Sequence, residues 1–260
     1  MRVLITGASR GLGQSIATRL AAPGRCVALC ASAPSADLDA TAAQCRALGA
    51  TVLCLSGDLA QLEVPARLVE QAVEAFGGLD AVVSNAGIVR SGPLSRITQQ
   101  DWDQVFNVNV RSAWQLASTA QPHLKTSGGS MVVIASMSGV EPYPDMGAYS
   151  PAKAALLMLV RVLALEWAAD GVRINAISPG LFHTTLTEAI YADPQKKAAR
   201  EALVPMHRIG NPQRDCAGVV QFLLSADAAY MSGQNLVVDG ALLGSIQRHL
   251  AGRPASERAP

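Results

Sequence analysis

Seven short runs of β-branched or apolar residues recur along the chain, separated mostly by longer stretches with helical spacing. This alternation leaves few folds open. The runs span residues 3–6, 26–31, 52–56, 81–84, 131–135, 173–178 and 236–238. The helical stretches span residues 12–22, 38–48, 65–76, 98–123, 149–169 and 212–224. Strands that are apolar on both faces belong in a parallel sheet with helices covering each side. Right-handed crossovers then give a doubly wound α/β fold of about seven strands. Asn211 followed by Pro212 predicts an N-cap with proline at the first helical position. Residues 181–210 break the rhythm without a clear strand, and we read them as a lid. The expectation is a single domain over residues 1–250 and a disordered tail over 251–260.

Half of the 260 residues are apolar and 16% are charged, which suits a large core and argues against disorder. A net charge of +1 supplies no basic field, so nucleic acid is not the expected partner. No apolar run approaches the ~18 residues of a membrane span; the most apolar helical stretch, 154–168, contains Arg161 and Glu166. The chain enters a strand-like run at Arg2 without a secretory signal, which points to the cytoplasm. Cys26, Cys30, Cys45, Cys54 and Cys216 form no C-x-x-C, and no H-E-x-x-H occurs. They are expected to be small hydrophobes, with no metal site.

The first strand runs into Thr6-Gly7-Ala8-Ser9-Arg10-Gly11-Leu12-Gly13. Glycines at such a strand–helix turn let a pyrophosphate approach the backbone, and the helix N-terminus offers N–H groups and positive dipole. The G-x-x-x-G-x-G spacing departs from the commoner G-x-G-x-x-G. Dinucleotide enzymes that use NAD place a carboxylate at the tip of the second strand, on the ribose 2′-hydroxyl. Here that tip reads Cys30-Ala31-Ser32, and Asp37 and Asp39 come later, where they begin the next helix. Arg10 and Ser32 are instead suited to a 2′-phosphate, so NADP(H) is expected over NAD(H).

Tyr149-Ser150-Pro151-Ala152-Lys153 sets a phenol and an ammonium four residues apart, on one face of a helix. Pro151 requires this to be the helix's first turn. An ammonium beside a partly desolvated phenol is expected to lower its pKa, making it a proton donor or acceptor near neutral pH. Ser136 ends a strand thirteen residues earlier, at the end of a parallel sheet where ligands sit. Its hydroxyl is placed to hold a substrate oxygen beside the phenol.

With these motifs in hand, the chain resembles the short-chain dehydrogenase/reductase family along nearly its whole length, especially its 3-oxoacyl-acyl-carrier-protein-reductase-like members. The family's T-G-x-x-x-G-x-G turn matches Thr6–Gly13, and its fold is Rossmann-like. The resemblance implies an adenine site at Asp58-Leu59 and an N-A-G motif at Asn85-Ala86-Gly87. It makes Asn109, Ser136, Tyr149 and Lys153 the catalytic positions, with Asn109 selected over nearby Asn107 by the resemblance alone. It places Pro179-Gly180, with Thr184, against the nicotinamide. Ser84 and Ala241 depart from frequent asparagine and glycine, away from the proposed chemistry.

The implied activity is hydride transfer between NADP(H) and a ketone, 3-oxoacyl group or secondary alcohol. Tyr149 would act as general acid, and Lys153 would hold ribose hydroxyls and tune the phenol. Ser136 would orient the carbonyl, and Asn109 would seat a water. Family members pair the helices matching 98–123 and 149–169, so a homodimer or homotetramer is implied. Alternatives are an NAD-dependent alcohol dehydrogenase, an epimerase or dehydratase with a tyrosine–lysine pair, and a non-catalytic NADP-binding sensor. In the lid, Leu186, Ile190, Leu203 and Met206 offer apolar surface, joined by Tyr143 and Met146. His183 stands near the mouth, where packing and catalysis both remain open.

Overall fold

The computed structural model describes residues 1–184 and 187–245. Leu186 and the expected tail lie outside them. Seven parallel strands form one sheet in the order β3-β2-β1-β4-β5-β6-β7. They are β1 (Arg2–Thr6), β2 (Cys26–Ala31), β3 (Thr51–Ser56), β4 (Ala81–Ser84), β5 (Ser130–Ile134), β6 (Arg173–Pro179) and β7 (Asn235–Val238). All seven expected strands are present.

Their continuous apolar character has a direct cause: alternate side chains enter two cores. Leu4 and Met131 point to one face, against Leu68, Leu116 and Leu156. Val3, Ile5 and Val132 point to the other, against Ile16, Val220 and Leu223. The first face is covered by α3 (Val64–Phe76), α5 (Ser112–Ser127) and α6 (Tyr149–Trp167). The second is covered by α1 (Gly11–Leu20), α2 (Ala36–Ala47) and α9 (Ala217–Leu224). Because β1 sits between β2 and β4, the winding reverses there, and the carboxyl ends of β1 and β4 open a crevice.

The stretch expected as one helix over 98–123 is broken. Thr98 caps α4 (Gln99–Phe106), its hydroxyl accepting from Asp101 N at 3.0 Å. A π-helical turn follows at Asn107–Arg111, and α5 then runs on to Ser127, closed by left-handed Gly128. Such turns insert one residue and concentrate at functional sites. Asn211 caps as expected, accepting from Arg214 N at 2.9 Å, but Pro212–Cys216 is again π-helical before α9.

Between β6 and Asn211 the chain makes an excursion carrying α7 (Glu188–Tyr191) and α8 (Pro194–Leu203). Its base is pinned: Gly210 N donates to Leu181 O at 2.9 Å, and His183 N to Gly210 O at 3.3 Å. Arg208 pairs with Asp215 of the second π turn, which drives that carboxylate far below its usual range. Among the described residues, no helix is long and apolar enough to cross a membrane, and no group of three metal-ligating side chains occurs.

Candidate active site

A cleft of about 620 Å³ runs across the crevice at the carboxyl ends of the strands. That volume lies within the range of ligand sites. At one end stands the glycine turn. Gly7 and Gly11 adopt left-handed backbone, with φ of 64° and 61°. Helix α1 has no side chain capping its first turn, so its leading N–H groups face whatever enters the cleft. Ser9, Arg10, Gly11 and Leu12 line this end. Gly13 does not: a Cβ there would lie 2.0 Å from Gly7 O, so this glycine lets the helix pack on the turn.

Thr6, quoted only as part of the motif, is a working residue. Its Oγ1 accepts from Asn85 N at 3.0 Å and Ala86 N at 3.1 Å. Asn85 Nδ2 returns hydrogen bonds to the carbonyls of Thr6 and Gly7 at 3.0 and 3.1 Å. This reciprocal tie fixes β1 against β4, and Asn85, Ala86 and Gly87 line the cleft as expected. A buried threonine at a strand tip was a readable signal.

Arg10 and Ser32 both line the same end, and both are exposed. The Arg10 side chain forms no ion pair or hydrogen bond with a described residue. Asp37 and Asp39 lie in the first turn of α2, where the helix dipole favours them, and do not line the cleft. Asp58 and Leu59 line it farther along, Asp58 exposed and Leu59 buried.

At the other end, Ser136, Tyr149 and Lys153 converge. Ser136 follows β5 and accepts from Ser138 N at 3.1 Å, which orients its hydroxyl. Tyr149 opens α6, with Pro151 in the first turn as required. Gly139 draws the two segments together: a Cβ there would lie 2.7 Å from the Lys153 carbonyl carbon. Lys153 is buried, and its Nζ donates to Ile134 O at 2.7 Å. Burial pushes its pKa from 10.5 down to about 8.

The phenol departs from expectation. Burial raises the Tyr149 pKa, and a hydrogen bond with Ser136 opposes the rise. The Lys153 ammonium lies 5.7 Å from the ring centroid and donates to Ile134 O, and desolvation by burial dominates the shift of the phenol. Tyr149 is therefore a protonated phenol at neutral pH here, not an acidified one.

Asn109 sits in the π turn behind the cleft and does not line it. Its Oδ1 accepts from Ile88 N and its Nδ2 donates to Ile88 O, each at 2.9 Å. A Cβ on Gly87 would lie 2.8 Å from Asn109 Oδ1 and 3.5 Å from Lys153 Nζ, so glycine is needed between them. Pro179, Gly180 and Thr184 complete the wall. Thr187, missed in the sequence, pins Thr184 by accepting from its N–H at 2.9 Å and donating to Phe182 O at 2.8 Å.

The expected apolar lid surface is not on this cleft. Of its described members, Ile190, Leu203, Met206, Tyr143 and Met146, none lines it. Ile88, Val89, Leu181 and Phe182 supply the apolar wall instead. Met206 faces a separate cavity of about 330 Å³. His183 packs edge-on against Tyr191 at 5.4 Å and stays off the cleft. The cysteines are free; Cys30, Cys45 and Cys216 are buried, and Cys26 and Cys54 are half-buried.

Residues 7–242 match a family model described as enoyl-(acyl carrier protein) reductase. Dehydrogenase/reductase SDR family member 4 of Bos taurus is 35% identical, over 94% of this chain and 87% of that protein. A structure from Sinorhizobium meliloti 1021, provisionally described as a short-chain alcohol dehydrogenase, aligns with a TM-score of 0.88. It is 36% identical over 94% of this chain and 97% of that one. A structure from Agrobacterium tumefaciens, provisionally described as a 2-deoxy-D-gluconate 3-dehydrogenase, has NADP bound. It aligns with a TM-score of 0.83 and 35% identity over 93% and 96% of the two chains. The family match and these near-full-length relatives agree with the cleft: this chain belongs to the short-chain dehydrogenase/reductase family and is an oxidoreductase.

Proposed function

We propose that the protein transfers hydride between NADP(H) and a ketone, 3-oxoacyl group or secondary alcohol, with Tyr149 as general acid or base. One observation carries the reading. A single cleft joins the open N-terminus of α1 and Arg10 at one end to Ser136, Tyr149 and Lys153 at the other. When bound, the nicotinamide supplies or accepts the hydride. Ser136 Oγ holds the substrate oxygen, and Tyr149 gives that oxygen a proton in reduction or takes one in oxidation. Lys153 donates to ribose hydroxyls. Asn109 has each side-chain polar atom engaged on Ile88, so its part in a proton path is to fix the π turn and the Ile88 backbone. Asp58 and Leu59 receive the adenine, and Leu181 and Phe182 border the substrate. Exposed Trp114 on α5 with Met158, Val162 and Leu165 on α6 support self-association through those helices.

A screen of NADPH oxidation over ketones, 3-oxoacyl thioesters, quinones and steroids, with NADH in parallel, tests the activity. Cofactor binding without turnover on any of them would favour a sensor. The preference for NADP(H) rests on Arg10, which is free of protein partners, and on the lack of a carboxylate at the tip of β2. Arg10→Ala should weaken NADPH binding about 10–100-fold, the worth of a charged bidentate contact, and barely alter NADH. Equal losses for both dinucleotides would sink the 2′-phosphate role.

A further inference from the structure

We infer that Arg111 is a positioning residue for the adenine end of the cleft, holding the loop that carries Asp58 from the same π turn that anchors Asn109. The inference rests on the proposed adenine role of Asp58 and Leu59. Asp58 begins a tight turn: its Oδ1 accepts from Ala60 N at 2.9 Å, and its backbone carbonyl accepts from Gln61 N at 3.0 Å. The direction of the Asp58 carboxylate therefore follows the orientation of the Ala60 peptide. The Ala60 N–H belongs to the peptide joining Leu59 to Ala60; Arg111 grips the next peptide, its guanidinium donating to Ala60 O, and so holds the Ala60 backbone from its other side. One turn later, Gln115 Nε2 donates to Leu62 O at 2.8 Å, so two side chains of one helical face hold one loop.

Among the described residues the Arg111 guanidinium has no carboxylate within salt-bridge distance, and its Nε is buried without a partner. Such a group costs stability. An ion pair thus gives no reason for its placement, whereas the grip on Ala60 does. Val108 of the same turn lines the cleft, as does Leu59. One inserted helical residue therefore presents Val108 to the cleft, Asn109 to Ile88 and Arg111 to the adenine loop.

The test compares NADPH with its hypoxanthine analogue, which replaces the adenine 6-amino donor by a carbonyl that Asp58 cannot accept from. In Arg111→Met, Kd for NADPH should rise about tenfold, the scale of one charged hydrogen bond, while Kd for the analogue changes much less. Turnover at saturating NADPH should stay near wild type, because Asn109 keeps its own two bonds to Ile88. Arg111→Lys, which retains a donor, should recover most of the affinity, and circular dichroism should show both variants folded. Equal loss for both dinucleotides, or a fall in kcat at unchanged Kd, overturns the inference. A wild type that binds NADPH but does not discriminate between the purines removes Asp58 from the adenine site and Arg111 with it. A wild type that binds neither dinucleotide counts instead against the proposed function.

Discussion

Replacing Tyr149 by phenylalanine is expected to lower kcat by about 10²–10⁴-fold, the usual worth of a positioned general acid, with little change in dinucleotide affinity. The substitution deletes one oxygen and leaves the ring beneath Lys153 and at the start of α6. It also removes the partner of Ser136, whose hydroxyl stays oriented by Ser138 N. The pH dependence sharpens the test. Burial holds the phenol above its ordinary value of 10, so it stays protonated through the neutral range. Carbonyl reduction should accordingly be flat in pH there. Alcohol oxidation needs the phenolate and should climb steadily toward alkaline pH. Both behaviours should vanish with the hydroxyl. Near-normal turnover in the phenylalanine variant would end the assignment.

Replacing Lys153 by methionine is expected to abolish useful turnover and yet raise stability. A shift from 10.5 to about 8 corresponds to about 3 kcal/mol of penalty for keeping the charge buried. Stripping Ile134 O of its donor returns roughly 1 kcal/mol of that. The net gain of about 2 kcal/mol should raise Tm by several degrees for a domain of this size. The sign follows from proton counting. Below about pH 8 folded and unfolded chains both carry the ammonium, and the full penalty is present. Between about 8 and 10.5 the unfolded chain binds a proton that the folded chain does not, so wild-type stability rises with pH relative to the variant. Buried Cys30, Cys45 and Cys216, pushed up to about 12, 11 and 12, act in the opposite direction above their ordinary values. They are common to both proteins and cancel in the difference. A methionine variant that melts lower at pH 7 would show that the lysine is a structural support rather than a strained functional group.

The sheet was legible because its strands are buried on both faces, which leaves continuous apolar runs whose ends fall within one residue of those observed. The Tyr149–Lys153 spacing was legible for a similar reason: one helical turn is a local property. The π turn was not. Residues 107–111 have ordinary helical character, and only the distant bonds from Asn109 to Ile88 and Arg111 to Ala60 reveal the inserted residue. The direction of the phenol's shift was equally hidden, since it depends on how deeply the assembled cleft buries Tyr149. Helix α8 was readable and overlooked. Asp193-Pro194 carries the same start signal as Asn211-Pro212, with Asp193 accepting from Gln195 N and Lys196 N.

The hydrogen-bonded neck at Leu181, His183 and Gly210 has an engineering consequence. Because both strands of the neck are clamped on the sheet side, the intervening segment behaves as a cassette. Closing a longer loop costs little more than closing a shorter one, about 0.6 kcal/mol per doubling. Transplanting only residues 188–209 from another family member, with Leu181, Phe182, His183, Thr184, Thr187 and Gly210 kept, should therefore change which molecules are accepted while Ser136, Tyr149 and Lys153 keep their geometry.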